Sequence, residues 1–126
     1  MSDLRDTGTA TRRKVLGGAH VDRSAASRTD FDAPFLDLIT DAAWGHVWSR
    51  DTITHRERSM MTIALLAGLG NFDELKLHLR ATVNTGATQD DVREALLHVA
   101  IYAGVPRANH AFKIAKEVFA ELEGQE

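Results

Sequence analysis

The sequence predicts an all-α fold of about six helices. Three observations carry this expectation: capping patterns at the ends of several segments, apolar residues recurring at i, i+3, i+4 and i+7, and the absence of any credible strand. The hardest case is ELKLHLRATVNTG, residues 74–86. Leu75, Leu77 and Leu79 alternate with Lys76, His78 and Arg80, as they would along a half-buried strand. Against that, Asn71 and Glu74 have the spacing of a helix cap, and Gly86 stands where a left-handed C-terminal cap is wanted. Caps at both ends of about four turns outweigh three alternating leucines. In the helix His78 falls beside Leu75, Leu79 and Thr82, at the edge of an apolar face.

The remaining elements follow in order. Residues 1–10 are polar and rich in small side chains, which predicts a frayed or disordered start, with a single domain over 11–126. From Thr11 a short helix is weakened by Gly17 and Gly18 and gives way to a loop through SAASRTD. Pro34 marks a helix start, and Phe35, Leu38, Ile39 and Ala42 form its stripe, with Gly45 interrupting before HVWSR. Trp44 and Trp48 are spaced to share a face, and are more often core than a ligand platform. Thr54 and Glu57 have capping-box spacing ahead of the apolar run SMMTIALLAGLG, which Gly68 and Gly70 close. Thr88 and Asp91 open the next helix, whose face is Val92, Ala95, Leu96, Val99 and Ala103 up to Gly104. The last helix begins near Pro106, with Ala111, Ile114, Ala115, Val118 and Leu122 as its stripe and Lys113 and Glu117 paired outside. Leu77 and Ala81, and again Leu97 and Ile101, lie off these faces, so two successive helices are apolar on more than one side. In so small a domain this predicts a subunit interface.

Composition excludes several classes. The chain has 126 residues, 15 Lys plus Arg against 18 Asp plus Glu, and a formal net charge of -3, which argues against a nucleic-acid surface. With no cysteine, disulfides, thiolate metal sites and CxxC redox chemistry are excluded. No apolar run approaches the roughly 20 residues of a membrane helix, and the N-terminus lacks a signal-peptide core, so a cytoplasmic protein is expected. His20, His46, His55, His78, His98 and His110 include no pair at i+3 or i+4, so helical metal spacing is missing and no metal is expected. GxSxG, P-loop and dinucleotide fingerprints are absent as well.

The polar residues on apolar helices are what remain. Glu74 and His78 are i, i+4, a geometry in which a carboxylate can orient an imidazole. Equally, Glu74 completes a cap and His78 is a satisfied core-edge histidine. His98 and Tyr102 share the same spacing on the next helix and reach a common cleft or simply pack. Arg56 and Arg58, at the start of a buried helix, suit carboxylates, although solvated arginines are the commoner case. Glu57 needs no reason beyond the cap.

The segments VLGGAHVDRS, WGHVWSRDTITHRERSMMTIALLAGLG, DELKLHLRATVNTGATQDDVREALLHVAIYAGVP and ANHAFKIAKEVF closely resemble the 4-carboxymuconolactone decarboxylases, over roughly residues 12–122. The wider superfamily is alkylhydroperoxidase-like and includes members with CxxCxxxH. Placing that histidine on His78 puts the two cysteine positions at Asn71 and Glu74, so the redox pair is missing and peroxidase activity of that type is ruled out. The superfamily's glutamate on the preceding helix aligns with Ser59 without gaps, and with Glu57 only after a two-residue insertion.

The resemblance implies an alkylhydroperoxidase-like helical bundle that assembles as a cyclic or double-ring homo-oligomer, a hexamer or trimer. It implies a cofactor-free enzyme of protocatechuate breakdown in the β-ketoadipate route, converting γ-carboxymuconolactone to β-ketoadipate enol-lactone and carbon dioxide. On that footing His78 is the acid or oxyanion donor with Glu74 orienting it. Arg58, with Arg56 as the second choice, binds a substrate carboxylate, and His98 and Tyr102 are second-rank donors. A related substituted lactone, and a silent oligomeric binding protein for small carboxylates, are the alternatives.

Overall fold

Helix α1 (Ser2–Leu16) opens the computed structural model, which describes residues 2–124. Nine helical segments and no strand are found among the described residues, against about six helices expected. The chain divides into two compact units, one ending at Thr54 and one starting at His55.

In the first unit α1 is followed by α2 (Gly18–Ala26), α3 (Ala33–Ile39) and a π-helical segment, Thr40–Trp48. Residues 2–10, where a frayed or disordered start was expected, are helical, and α1 lies along the π-helix. Close backbone approach explains why. Gly8 is buried, and a Cβ built on it would lie 2.2 Å from the Thr40 carbonyl oxygen, while one on Gly45 would lie 2.6 Å from Leu4 Cδ1. The two glycines are where the helices touch, so Gly45 permits packing instead of interrupting a helix. Arg5 reinforces the contact, its Nε and Nη2 donating to Asp41 at 2.6 and 2.8 Å.

Two further expectations change here. The loop foreseen from Ser24 is helical through Ala26. Phe35 and Leu38 of the expected stripe are exposed within this unit, and the buried residues are Thr40, Trp44 and Trp48, which follow the wider π turn. The indole rings do share a face, with centroids 5.1 Å apart. Ser49 Oγ donates to the Trp44 carbonyl at 2.6 Å, five residues back, and so extends the π pattern by a side chain.

The second unit contains α4 (His55–Leu69), α5 (Phe72–Arg80), α6 (Thr82–Thr85), α7 (Gln89–Tyr102) and α8 (Val105–Gly124). Its core takes Ile63 and Ala67 from α4, Leu75 and Leu79 from α5, Val92, Leu96 and Val99 from α7, and Ala108, Ala111, Ala115 and Val118 from α8. Three alanines on α8 let its backbone come close, and fully buried leucines on α5 fill the space. Each such leucine contributes about 1.5–3 kcal/mol of burial.

Capping decides the boundaries. At α7 the box is complete: Asp91 N–H donates to Thr88 Oγ at 3.1 Å and Thr88 N–H donates to Asp91 Oδ2 at 2.9 Å. At α5 the side chain of Asn71 makes no capping bond, so the Asn71/Glu74 pattern marks the helix start without forming a box. The helix foreseen through to Gly86 is broken at Ala81 into α5 and α6, and Gly86 (φ 85°) closes α6.

Candidate active site

Helices α4 and α5 are joined by a turn at Gly70 (φ 78°), where Asn71 N–H donates to the Leu66 carbonyl at 2.9 Å. So short a connection makes them antiparallel neighbours, and Leu75 and Leu79 anchor α5 on α4. His78, next to Leu79, is consequently half-buried, with its Nδ1 shielded from water. It sits in the last turn of α5. Glu74 is exposed and stands in the first turn of α5 beside Asp73, where negative charge suits the helix dipole.

The two arginines have different surroundings. Arg58 is half-buried, with its Nε shielded from water. Arg56 forms a two-point pair with Asp91 at the start of α7: Nε donates to Oδ2 at 2.6 Å and Nη2 to Oδ1 at 2.7 Å. The Asp91 carboxyl is buried, yet the Arg56 hydrogen bonds, aided by the Thr88 N–H, hold it well below the usual carboxylate range and outweigh the burial. Asp91 in turn raises the Arg56 guanidinium above its ordinary value. Arg56 thus joins α4 to α7.

His98 and Tyr102 are brought together as expected. Their rings stack with centroids 6.0 Å apart, and both are exposed on α7. They line an apolar groove of about 340 Å³ with Val99 and Ala103 of α7 and Ala64, Leu65, Gly68 and Leu69 of α4. That volume suits a small organic acid. The groove takes its α4 residues from the C-terminal half of the helix, whereas Arg58 is in its first turn. Within this unit, therefore, His98 and Tyr102 are not grouped with Arg58.

The sequence reading missed the Arg56–Asp91 pair, although it found both residues: they are 35 positions apart, and nothing local marks the partnership. It also missed the stacking of His110 on Phe72, centroids 4.0 Å apart. No group of three or more His, Cys, Asp or Glu residues that could hold a metal ion occurs among the described residues. No helix among them is long and apolar enough to cross a membrane.

What the fold defines is a small protein, all-helical among the described residues, whose candidate side chains are imidazole, guanidinium, carboxylate and phenol. Residues 33–117 match the model of the carboxymuconolactone decarboxylase family. The chain is 46% identical to a 4-carboxymuconolactone decarboxylase of Acinetobacter baylyi over 115 residues, covering 91% of this chain and 86% of that one. It is 36% identical to a nitrosuccinic acid decarboxylase of Metarhizium robertsii over 119 residues, covering 94% and 83%. A 40-residue stretch, 32% of this chain, is 48% identical to a 4-carboxymuconolactone decarboxylase of Pseudomonas putida, covering 83% of that sequence. The chain belongs to the carboxymuconolactone decarboxylase family.

Proposed function

We propose that this protein decarboxylates 4-carboxymuconolactone to β-ketoadipate enol-lactone and carbon dioxide, in the cytoplasmic breakdown of protocatechuate through the β-ketoadipate route. The observation that carries the reading is the 46% identity, over 91% of the chain, to a relative of that activity.

The chemistry suits a site built from side chains alone. The departing carboxylate is attached to the ring carbon vinylogous to the lactone carbonyl. When the bond to carbon dioxide breaks, its electron pair passes through the ring double bond to the carbonyl oxygen, giving a furan-like enolate. A proton then adds to the carbon α to the carbonyl. The substrate is its own electron sink, so the protein supplies an acid, an oxyanion donor, a cation for a carboxylate and a partly dehydrated setting.

His78 takes the role of acid or oxyanion donor, and its half-buried place beside Leu79 supports this. Arg58 binds a substrate carboxylate, a role favoured by the engagement of Arg56 with Asp91. His98 and Tyr102 are second-rank donors, and Glu74 contributes charge to the start of α5. The subunits assemble as a homo-oligomer, a hexamer or trimer. Support comes from the exposed apolar side chains on α4 and α7, among them Leu65, Leu69, Leu97 and Ile101.

A second substrate reading has its own support in the nitrosuccinic acid decarboxylase relative. Nitrosuccinate, like the lactone, carries a carboxylate on a carbon next to an electron sink and keeps a second carboxylate on a CH2 arm. The test is to incubate purified protein, with chelator and no added cofactor, with enzymatically generated 4-carboxymuconolactone and, separately, with nitrosuccinate, following substrate loss and carbon dioxide release. Fast turnover of the lactone is expected. Turnover of nitrosuccinate alone moves the assignment to that substrate, and turnover of neither by the folded protein leaves a silent binding protein.

A further inference from the structure

Helix α4 presents a problem of orientation. It buries Ser59, Ile63 and Ala67 on one side, yet Met61, Leu65 and Leu69 on another side are apolar and exposed. A helix that is apolar on both sides gains little from hydrophobicity in choosing its rotation about its own axis. Some directional contact must choose it.

The Arg56–Asp91 fork is such a contact. Two parallel hydrogen bonds, at 2.6 and 2.7 Å, fix the plane and direction of the guanidinium, which a single-point lysine contact would not do. The acceptor is itself fixed, because Asp91 is buried and locked into the capping box by Thr88. At about 100° per residue, Arg58 points about 200° around the helix from Arg56. Drawing Arg56 onto α7 therefore turns Arg58 to the opposite side of the first turn.

We propose that Asp91 is a positioning residue for the decarboxylase reaction: through its fork with Arg56 it sets the rotation of the first turn of α4 and so aims Arg58 at the substrate carboxylate. The proposal rests on the reading of Arg58 given above. Asp91 acts through Arg56 and touches no reacting atom.

The test compares Asp91→Asn, Arg56→Lys, the double variant and Arg58→Gln by steady-state kinetics on 4-carboxymuconolactone, alongside thermal unfolding and size in solution. Asparagine keeps an acceptor for the Thr88 N–H while losing the charge, and lysine keeps the charge while losing the fork. Each single variant is expected to raise KM about tenfold or more with kcat within about threefold, the signature of lost uniform binding. The double variant should be no worse than the poorer single one, because both remove one contact. Arg58→Gln should change KM in the same direction.

A shift in Tm with KM unchanged in folded Asp91→Asn and Arg56→Lys overturns the proposal and leaves the fork purely structural. A fall in kcat with KM unchanged overturns it too. If Asp91→Asn does not fold, Arg56→Lys, altered at a more exposed side chain, decides alone. An unchanged KM in Arg58→Gln sinks the Arg58 reading and the proposal with it, whereas a raised KM there with normal forks-broken variants sinks only the proposal. Should the wild type not turn over the lactone, binding of (5-oxotetrahydrofuran-2-yl)acetate is titrated across the same variants. Weaker binding in the Asp91 and Arg56 variants then supports the positioning role, and equal binding, or none by the wild type, overturns it.

Discussion

Gly8→Ala should destabilise the protein although it places a better helix former in a helix. The added Cβ would lie 2.2 Å from the Thr40 carbonyl oxygen and 3.1 Å from the Gly45 nitrogen. A carbon rarely comes closer to a carbonyl oxygen than about 3.3 Å, so α1 and the π-helix must separate by about 1 Å. Both obstacles are backbone atoms, which no rotamer change can move, so the upper part of the overpacking range, about 3 kcal/mol, applies. Helix propensity returns about 1 kcal/mol, leaving a net loss of about 2 kcal/mol. In thermal unfolding this is a drop of several degrees. Ala10→Gly, at an exposed position of the same helix, serves as the control and should lose only about 1 kcal/mol through propensity. A Gly8→Ala protein as stable as the wild type, or more so, would refute the reasoning, because it would mean that α1 is not seated on the π-helix.

Other outcomes are equally open to measurement. His78→Gln should lower kcat on 4-carboxymuconolactone by about 10²–10⁴-fold with solution size unchanged; a loss below about threefold in the folded variant removes His78 from the mechanism. Leu79→Ala, at a fully buried core position, should cost about 2–5 kcal/mol in denaturant unfolding. The Asp91 carboxyl has a folded pKa below its unfolded value of about 4, so its contribution to stability is present above pH 4 and is lost as the pH falls through the folded pKa. The Tm gap between wild type and Asp91→Asn should accordingly be constant from pH 7 to about pH 5 and narrow below about pH 4. A gap that stays constant into strong acid would show that the charge of Asp91 contributes nothing.

The parts of the fold legible in the sequence are those built from neighbours along the chain. Helix α7 shows this best: Thr88 and Asp91 cap it within one turn, and Val92, Ala95, Leu96 and Val99 lie on its buried face as the spacing predicts. The helical reading of Leu75, Leu77 and Leu79 over a strand holds for the same reason. Where the deciding contact is distant, the sequence misleads. Gly8 looks like a flexible residue in a polar tail because its reason for being glycine lies at Thr40 and Gly45. Phe35 and Leu38 have correct α spacing, but the buried face belongs to a π-helix whose i→i+5 bonding has no residue signature.

The candidate site divides in the same way. The stacking of His98 on Tyr102 follows from i, i+4 on one helix. The fork from Arg56 to Asp91 depends on how two separate helices pack, which no local pattern records.

The π-helix from Thr40 to Trp48 also fixes how the chain can change in length there. A π turn holds more residues than an α turn, so losing one residue would let the segment relax into ordinary α hydrogen bonding. Its backbone would be satisfied, but everything after the deletion would shift in phase. Trp48 would leave the face it shares with Trp44, Ser49 would lose its reach to the Trp44 carbonyl, and Gly45 would no longer meet Leu4. The segment is therefore tolerant of deletion in its hydrogen bonding and intolerant in its packing, which makes its length, more than its composition, the property held under constraint.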